Sequence, residues 1–439
     1  MVEEKSILKT ILFHNFSKWD VKQFFKEQIK SSYPITFLSE LLNEETEKKK
    51  LSKFPNEDFG ILGISNEEGM FDAYTEKGKN INQPYKIIKN DFIAYNPYRV
   101  NVGSIGIKKE HLKNEYISNA YVVFSTKENL LADYLFLLMH TEKFNQLIRD
   151  NTTGSVRQTL SFENLGKIAI PVPSIPEQKA IVQKYQDTIN EAEKLEKEAD
   201  FTKSKIDQYF FDKLELNINK KERKSGLSFI NFSKLHQWDT YDLKESFFSK
   251  KYPIVTMDFV SLSKPVYGAA YKTVNKISNI RYIRITDINE DGTLNDDIVS
   301  ANDFSEQYLL EEHDFLFARS GATVGKTFLY ELKYGKSIFA GYLIKFKLNK
   351  EIINPYYLLS FTKTSAYKQW IIDNMRVSAQ PNINSQQYSN SPIVLPPLPV
   401  QNEIVEHINQ IKAQVKDLRQ QAKELREKAK LEFERSVFE

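Results

Sequence analysis

One stretch occurs twice in this chain, and it constrains the fold more than anything else in the sequence. Pro173-Ser174-Ile175-Pro176-Glu177-Gln178 opens a charged segment that continues to about residue 214. Pro396-Pro397-Leu398-Pro399-Val400-Gln401 opens a second that runs to residue 439. Aligning Gln178 with Gln401 sets an offset of 223 residues. In the second copy Ile404, Ile408, Ile411, Val415, Leu418, Ala422, Leu425 and Ala429 are spaced alternately by four and three. That is the heptad seam of a coiled coil. The first copy keeps the register with Ile181, Tyr185, Thr188, Ala192, Leu195, Ala199, Thr202 and Ile206, two threonines weakening it. Prolines precede each segment and none interrupts it, as helices require. Two long helices with matching seams are expected to pack on each other, and their length, near 57 Å for about 38 residues at 1.5 Å each, suits a spacer.

The duplication extends beyond the helices. Trp19-Asp20 returns as Trp238-Asp239, Asn15-Phe16-Ser17-Lys18 as Asn231-Phe232-Ser233-Lys234, and Tyr33-Pro34-Ile35 as Tyr252-Pro253-Ile254. Further on, Asn90-Asp91-Phe92-Ile93 matches His313-Asp314-Phe315-Leu316. The chain thus reads as two copies of one unit, each a globular region followed by a long helix, joined at a lysine-rich stretch around 217–226. Within the globular regions, 281–286, 314–317, 340–346 and 121–124 read as strands, and Asp291-Gly292 as a turn. Residues 130–148 and 355–370 carry helical spacing, with Leu135, Leu138, Phe144, Leu359 and Phe361 as core positions. The fold class is α+β. The copies diverge most at 51–90 and 264–310, so a shared frame carries two different middles.

The usual catalytic and metal motifs are missing. The run from Gly321 to Thr327 resembles the end of a phosphate loop, but three residues rather than four separate its glycines. Asn96-Pro97-Tyr98 lacks the second proline of the Asn-Pro-Pro-Tyr motif of amino-methyltransferases, and no glycine-rich nucleotide loop precedes it. Six histidines show no metal spacing, and there is no cysteine to supply a thiolate. His313 and Asp314, as neighbours on a strand, would face opposite sides. No basic leader opens the chain and the longest apolar run is too short for a bilayer, so a soluble intracellular protein is expected. The net charge of +3 does not by itself indicate nucleic acid. Local clustering is more informative. Between 264 and 286 lie five basic residues and no acid, interleaved with Tyr267, Tyr271 and Tyr282. Between 74 and 113 lie eight basic residues against three acidic, again among aromatics. Such segments fit a phosphate backbone, or half-buried strands with solvated lysines.

Two further pieces resemble a known family. They are Asp314-Phe315-Leu316-Phe317-Ala318-Arg319-Ser320-Gly321-Ala322-Thr323-Val324-Gly325-Lys326 and the proline run continuing through Asn402-Glu403-Ile404-Val405. With 96–106 and 173–178 from the first copy, they resemble the specificity subunit of Type I restriction–modification systems over essentially the whole chain. The resemblance implies two pseudo-repeated α/β target recognition domains, 1–175 and 231–398. It also implies spacer helices at 176–216 and 399–439, paired as an antiparallel coiled coil, and a linker at 217–230. It implies a non-catalytic, sequence-specific DNA-binding subunit in the prokaryotic cytoplasm that reads a bipartite target on double-stranded DNA. The expected partners are two modification (methyltransferase) subunits, which would hold the S-adenosylmethionine, and restriction/translocase subunits in the full complex. The chain would have no cofactor or metal of its own and no membrane partner. One departure from the pattern is Val400, where the first copy has Glu177; either the two docking sites differ, or this is an ordinary substitution at a helix N-terminus.

Basic or amide-rich loops beside strand ends are the expected DNA contacts: Arg99, Asn101, Lys108, Arg157 and Gln158 in the first domain, and Arg319, Ser320, Thr323, Lys326, Arg376, Gln380 and Asn382 in the second. Arginine suits guanine, and Asn or Gln suit adenine, in the major groove. Gly321 and Gly325 are expected to serve a tight turn. A competing reading is a coiled-coil adaptor that binds protein partners without DNA recognition.

Overall fold

A computed structural model describes residues 29–66, 69–98, 104–151, 159–218, 247–274, 279–375 and 381–439. The Asn15–Asp20 match to 231–239, most of the 217–230 linker, and the candidates Arg99, Asn101, Arg157, Gln158, Arg376 and Gln380 lie outside these residues.

The two long helices are Ile175–Leu214 and Leu398–Phe438. Both begin slightly earlier than the sequence suggests, because Pro176 and Pro399 sit in the first turn, where a missing N–H costs nothing. The helices run antiparallel. The chain therefore divides into two compact units that do not follow the linear boundaries: residues 1–195 with 420–439, and residues 196–419. In the first, Lys184 pairs with Glu432 at 3.0 Å and Tyr185 packs edge-on against Phe433. In the second, Asp200 pairs with Arg419 at 2.9 Å, Lys213 with Glu403, and Tyr209 stacks near His407. Along the seam Ile404, Ile408, Ile411, Val415, Leu418, Ala422 and Ala429 are buried, as are Ala192, Ala199 and Thr202. Ile181, Tyr185, Thr188, Leu195, Ile206 and Leu425 are half-buried. Thr202 is thus an interior residue, not a gap.

The first unit is built on a four-stranded antiparallel sheet ordered Leu42–Glu44, Val122–Thr126, Ile93–Tyr95, Ile105–Ile107. Its inner strand Ile-Ala-Tyr is buried throughout, since helices Ala132–Met139 and Glu142–Asn151 cover it on one side and Leu62, Met70 and Ile117 of a second, five-stranded sheet pack near Ala94 on the other. Strand Ile35–Phe37 pairs antiparallel with Ala169–Pro171 just before the long helix. Phe433, Val437 and Phe438, from the end of the second long helix, complete this core. The divergent middle folds into a five-stranded sheet whose longest hairpin joins Asp58–Ser65 to Gly69–Lys77.

The second unit repeats the frame. Its four-stranded sheet is ordered Val266–Tyr267, Leu343–Phe346, Phe315–Ala318, Thr327–Leu329. Strand Ile254–Thr256 pairs with Pro392–Val394 as 35–37 does with 169–171. Phe210 and Leu214, from the end of the first long helix, pack in the core with Phe361, Trp370 and Tyr388. Its middle differs in kind, with two small two-stranded pairs, Thr273–Val274 with Ser300–Ala301 and the parallel Arg281–Ile283 with Ser337–Phe339. Buried tyrosines mark the equivalence: Tyr134 donates to Pro171 O at 3.0 Å and Tyr357 to Val394 O at 2.6 Å, and burial raises the pKa of each hydroxyl.

Three sequence expectations need correction. The stretches 130–148 and 355–370 are each two helices, broken where Thr141 and Thr364 turn their hydroxyls to accept from the N–H of Phe144 and Tyr367. The second pair is Pro355–Phe361 and Ser365–Asn374. The match of 90–93 to 313–316 is displaced by one residue. Asp91 and His313, both with positive φ, are the equivalent pair, donating to Lys108 O and Tyr330 O at 2.9 Å. Ile93 therefore corresponds to Phe315. The linker begins as structure: Glu215 turns with φ 48, and Leu216–Ile218 pairs with Phe247–Ser249.

Candidate nucleic-acid interface

At one end of the second unit's sheet, three segments meet around Arg319. Strand Phe315–Ala318 ends there, and Arg319 N donates to Tyr342 O at 3.0 Å. The loop at 381–385 is held alongside by Gly321 N to Pro381 O and Ile383 N to Arg319 O, both 2.9 Å. The edge strand brings Tyr267, whose ring lies 4.9 Å from the Arg319 guanidinium. Tyr267 is itself fixed, its hydroxyl donating to Ser385 Oγ and accepting from Ser385 N, both at 3.0 Å. Arg319 Nε reaches Asn382 Oδ1 at 3.4 Å, a weak contact. Tyr267 and Tyr342 remain 38% and 57% exposed, so aromatic surface stays open to a ligand.

The other candidates in this unit serve the loop itself. Thr323 Oγ1 donates to Ser320 O at 3.0 Å, and Ser320 is buried beside Asn382. Lys326 gives its ammonium to Ile288 O and Glu290, both at 3.1 Å. The Thr327 hydroxyl is buried against Thr362 at 2.8 Å. The lysine and threonine a phosphate loop would use are therefore committed internally. Gly321 and Gly325 have φ of 70° and 87°, the tight turn expected of them, and a Cβ on Gly325 would lie 2.8 Å from Ile371.

In the first unit Lys108 is 6% exposed and donates to Leu112 O at 3.1 Å and Asn90 Oδ1 at 3.2 Å. Its ammonium is thus held inside the fold. The residue equivalent to Arg319 is Pro97, followed by Tyr98, which is 61% exposed. His313 and Asp314 point apart, but they precede the strand, which begins at Phe315, and it is the turn at His313, with its positive φ, that separates them rather than strand alternation. His313 lies near Tyr356, while Asp314 is buried, accepting from Glu311 N and facing Lys345 at 3.3 Å. Burial raises the pKa of Asp314, against the opposing pull of the Glu311 N–H and Lys345.

Three residues were missed as functional elements by sequence reasoning. Tyr267 was visible only as one aromatic in a basic stretch; nothing in the letters places it under Arg319. The glutamine of each proline run was used as an alignment mark, yet both side chains are wholly buried locks. Gln178 accepts from Leu131 N at 2.8 Å and donates to Asn129 O and Pro173 O at 2.9 and 2.8 Å. Gln401 accepts from Asn354 N at 2.7 Å and donates to Ile352 O and Pro396 O at 2.9 and 2.8 Å. Each ties the start of a long helix to its globular region.

The Glu177–Val400 difference has a local cause. Glu177 accepts from Ser174 N at 2.8 Å and Ser174 Oγ at 2.6 Å, capping its own helix, and the Ser174 hydroxyl and then its N–H lower its pKa. In the second copy the cap position is Pro397, which has no N–H to satisfy. A carboxylate at position 400 would find no such N–H or hydroxyl to accept from.

A duplicated α+β frame with a paired-helix spacer and an aromatic–arginine surface defines a class of modular recognition subunits, and comparison with known proteins gives the family. The family model for the Type I restriction modification DNA specificity domain matches residues 33–200 and 268–427, well over half the chain. The chain therefore belongs to the Type I restriction–modification specificity family, whose members are non-catalytic. Among its relatives is the Type I restriction enzyme EcoKI specificity subunit of Escherichia coli (strain K12), 22% identical over 323 residues. That alignment covers 69% of this chain and 64% of the relative, so the chain spans slightly under two thirds of that protein's length. A chain from a structure described as the basis of complex assembly and conformational transition of the type I R-M system superposes with a TM-score of 0.60 at 16% identity. That superposition covers 94% of this chain and 99% of the other. The HsdS subunit from Thermoanaerobacter tengcongensis aligns over 94% and 98% of the two chains at 15% identity, with a TM-score of 0.43. Among the described residues no helix is long and apolar enough to cross a membrane.

Proposed function

We propose that this chain reads a bipartite target on double-stranded DNA, one half with each domain, and directs adenine-methyltransferase and restriction subunits to it. The observation that carries the reading is the pairing of one repeated frame with two unlike middles. The frame repeats down to the Tyr134/Tyr357 and Gln178/Gln401 hydrogen bonds, while the middles are a five-stranded sheet in one copy and short strand pairs in the other. A duplicated module that keeps its scaffold and changes its insert suits two recognition events of one kind on different sequences. The aromatic–arginine surface around Arg319 has the chemistry for base and phosphate contacts. S-adenosylmethionine belongs, in this reading, to the methyltransferase partners, and the long helices dock them. Mapping methylated adenines in a host with and without this gene, its partner genes present, tests the proposal. Methylation at a split motif that depends on the gene is the expected result. A methylome indifferent to the gene would overturn it and favour the adaptor reading.

A further inference from the structure

The geometry around Arg319 points to a more specific role, which rests on the DNA reading above: we propose that Arg319 reads a guanine in the second half-site, with Tyr267 as its positioning residue. Arginine recognises guanine by presenting two parallel donors, in one plane, to O6 and N7. A free arginine side chain must lose much rotamer freedom to do so. Here the plane is set in advance. The guanidinium lies over the Tyr267 ring at 4.9 Å, and its Nε is turned toward Asn382. Among the described residues the two terminal nitrogens have no hydrogen-bond partner. The platform is rigid in turn, because the Tyr267 hydroxyl is gripped from two directions by Ser385. Backbone bonds from Arg319 to Tyr342 and from Ile383 to Arg319 fix the strand end that carries it.

The neighbouring cations lack this arrangement. Lys326 is neutralised by Glu290 and bonded to Ile288 O, and Lys345 faces Asp314. The first domain has Pro97 in the equivalent place, so the effect expected of Arg319 is confined to one half-site. A stacked guanidinium is also the case in which lysine is a poor substitute, since an ammonium offers neither the fork nor the flat face.

The test uses the full chain assembled with its modification subunits. Binding is measured to the mapped target and to targets altered at each base pair, for wild type, Arg319→Lys, Arg319→Ala and Tyr267→Leu, at two salt concentrations. Circular dichroism confirms that each variant is folded. Wild type should prefer guanine at one position of the second half-site by on the order of tenfold to a hundredfold. Replacing that guanine by 7-deazaguanine, which lacks the N7 acceptor, should weaken wild type and leave Arg319→Ala unaffected. Arg319→Lys should lose the preference while keeping its salt dependence, and Tyr267→Leu should lose part of it. Uniform weakening across all targets, with a salt slope reduced by about one, would make Arg319 a phosphate contact and overturn the inference. So would unaltered discrimination, or a change in the first half-site. Failure of the bipartite reading itself would appear separately, as a wild-type complex with no preferred site.

Discussion

Replacing Gln401 with leucine should detach the second long helix from the unit it anchors. The side chain is fully buried and satisfies one backbone N–H, of Asn354, and two carbonyls, of Ile352 and Pro396. Leucine has similar bulk and answers none of them. Leaving a buried backbone group unsatisfied costs about 1–3 kcal/mol, so three groups amount to roughly 3–9. The extra apolar burial of leucine offsets about 2 kcal/mol. The net expectation is a loss of roughly 1–7 kcal/mol, centred near 4, a large share of the stability of an ordinary domain. Urea unfolding followed by Trp370 fluorescence reports on this unit, with Trp19 and Trp238 changed to phenylalanine so that only the buried Trp370 emits. Gln401→Glu sharpens the test. Its carboxylate would accept from Asn354 N but face two carbonyl oxygens, whereas the protonated form could donate to one of them. Its folded pKa should therefore lie above the ordinary glutamate value near 4.3. The variant should be least stable at neutral pH and recover as pH falls through that raised value. A Gln401→Leu loss below about 1 kcal/mol, or a Gln401→Glu deficit indifferent to pH, would refute the view that this glutamine is a lock.

Other expectations follow from the same structure. Glu177→Ala should lower the melting temperature at neutral pH. Because the folded pKa of Glu177 is lowered, that contribution is present above about 4.5 and is lost as pH falls through the folded value, so the difference from wild type should close in acid. Val400→Glu should bring no matching gain, since Pro397 offers no N–H. Gly325→Ala, which meets both a φ of 87° and the Ile371 side chain, should cost about 2 kcal/mol or more in denaturant unfolding. Exchanging 264–310 for a relative's segment should change one half of the methylated motif and leave the other intact; a change in both halves would show that the domains do not read separately. The purified chain without partners should show no S-adenosylmethionine binding by calorimetry, and measurable heat of binding would contradict the assignment of the cofactor to the partners.

The parts of the fold that were legible in the sequence are those governed by period and punctuation. The seam from Ile404 to Ala429 and the proline runs mark both long helices to within two residues. Strand 315–318 is an apolar run that leaves little choice, and 343–346 departs from one only at Lys345. What stayed hidden depends on single hydrogen bonds. Thr141 and Thr364 look like ordinary polar positions in a helical pattern until their hydroxyls are seen to cap the next turn. The one-residue slip at Asp91 and His313 arises because the backbone conformation is shared while the letters are not. The candidate site was least legible, since Arg319 is placed by a tyrosine 52 residues earlier in the chain and an asparagine 63 later. Side-chain lists drawn from loops include Lys108 and Lys326, which have the right charge but whose partners lie inside the protein.

That each unit is finished by the far end of the other copy's helix has a consequence for how such genes can be shuffled. A single crossover in the joining segment would give the first globular region a foreign Phe433, which must then fit between Tyr134 and Tyr185. It would likewise set a foreign core around Phe210, beside Tyr357 and Phe361. Every such chimaera tests two unrelated packings at once. A paired exchange that brackets only a divergent middle disturbs neither. New targets should therefore arise in this lineage mostly by replacement of inserts, and the ends of the long helices should drift together with the domains they close.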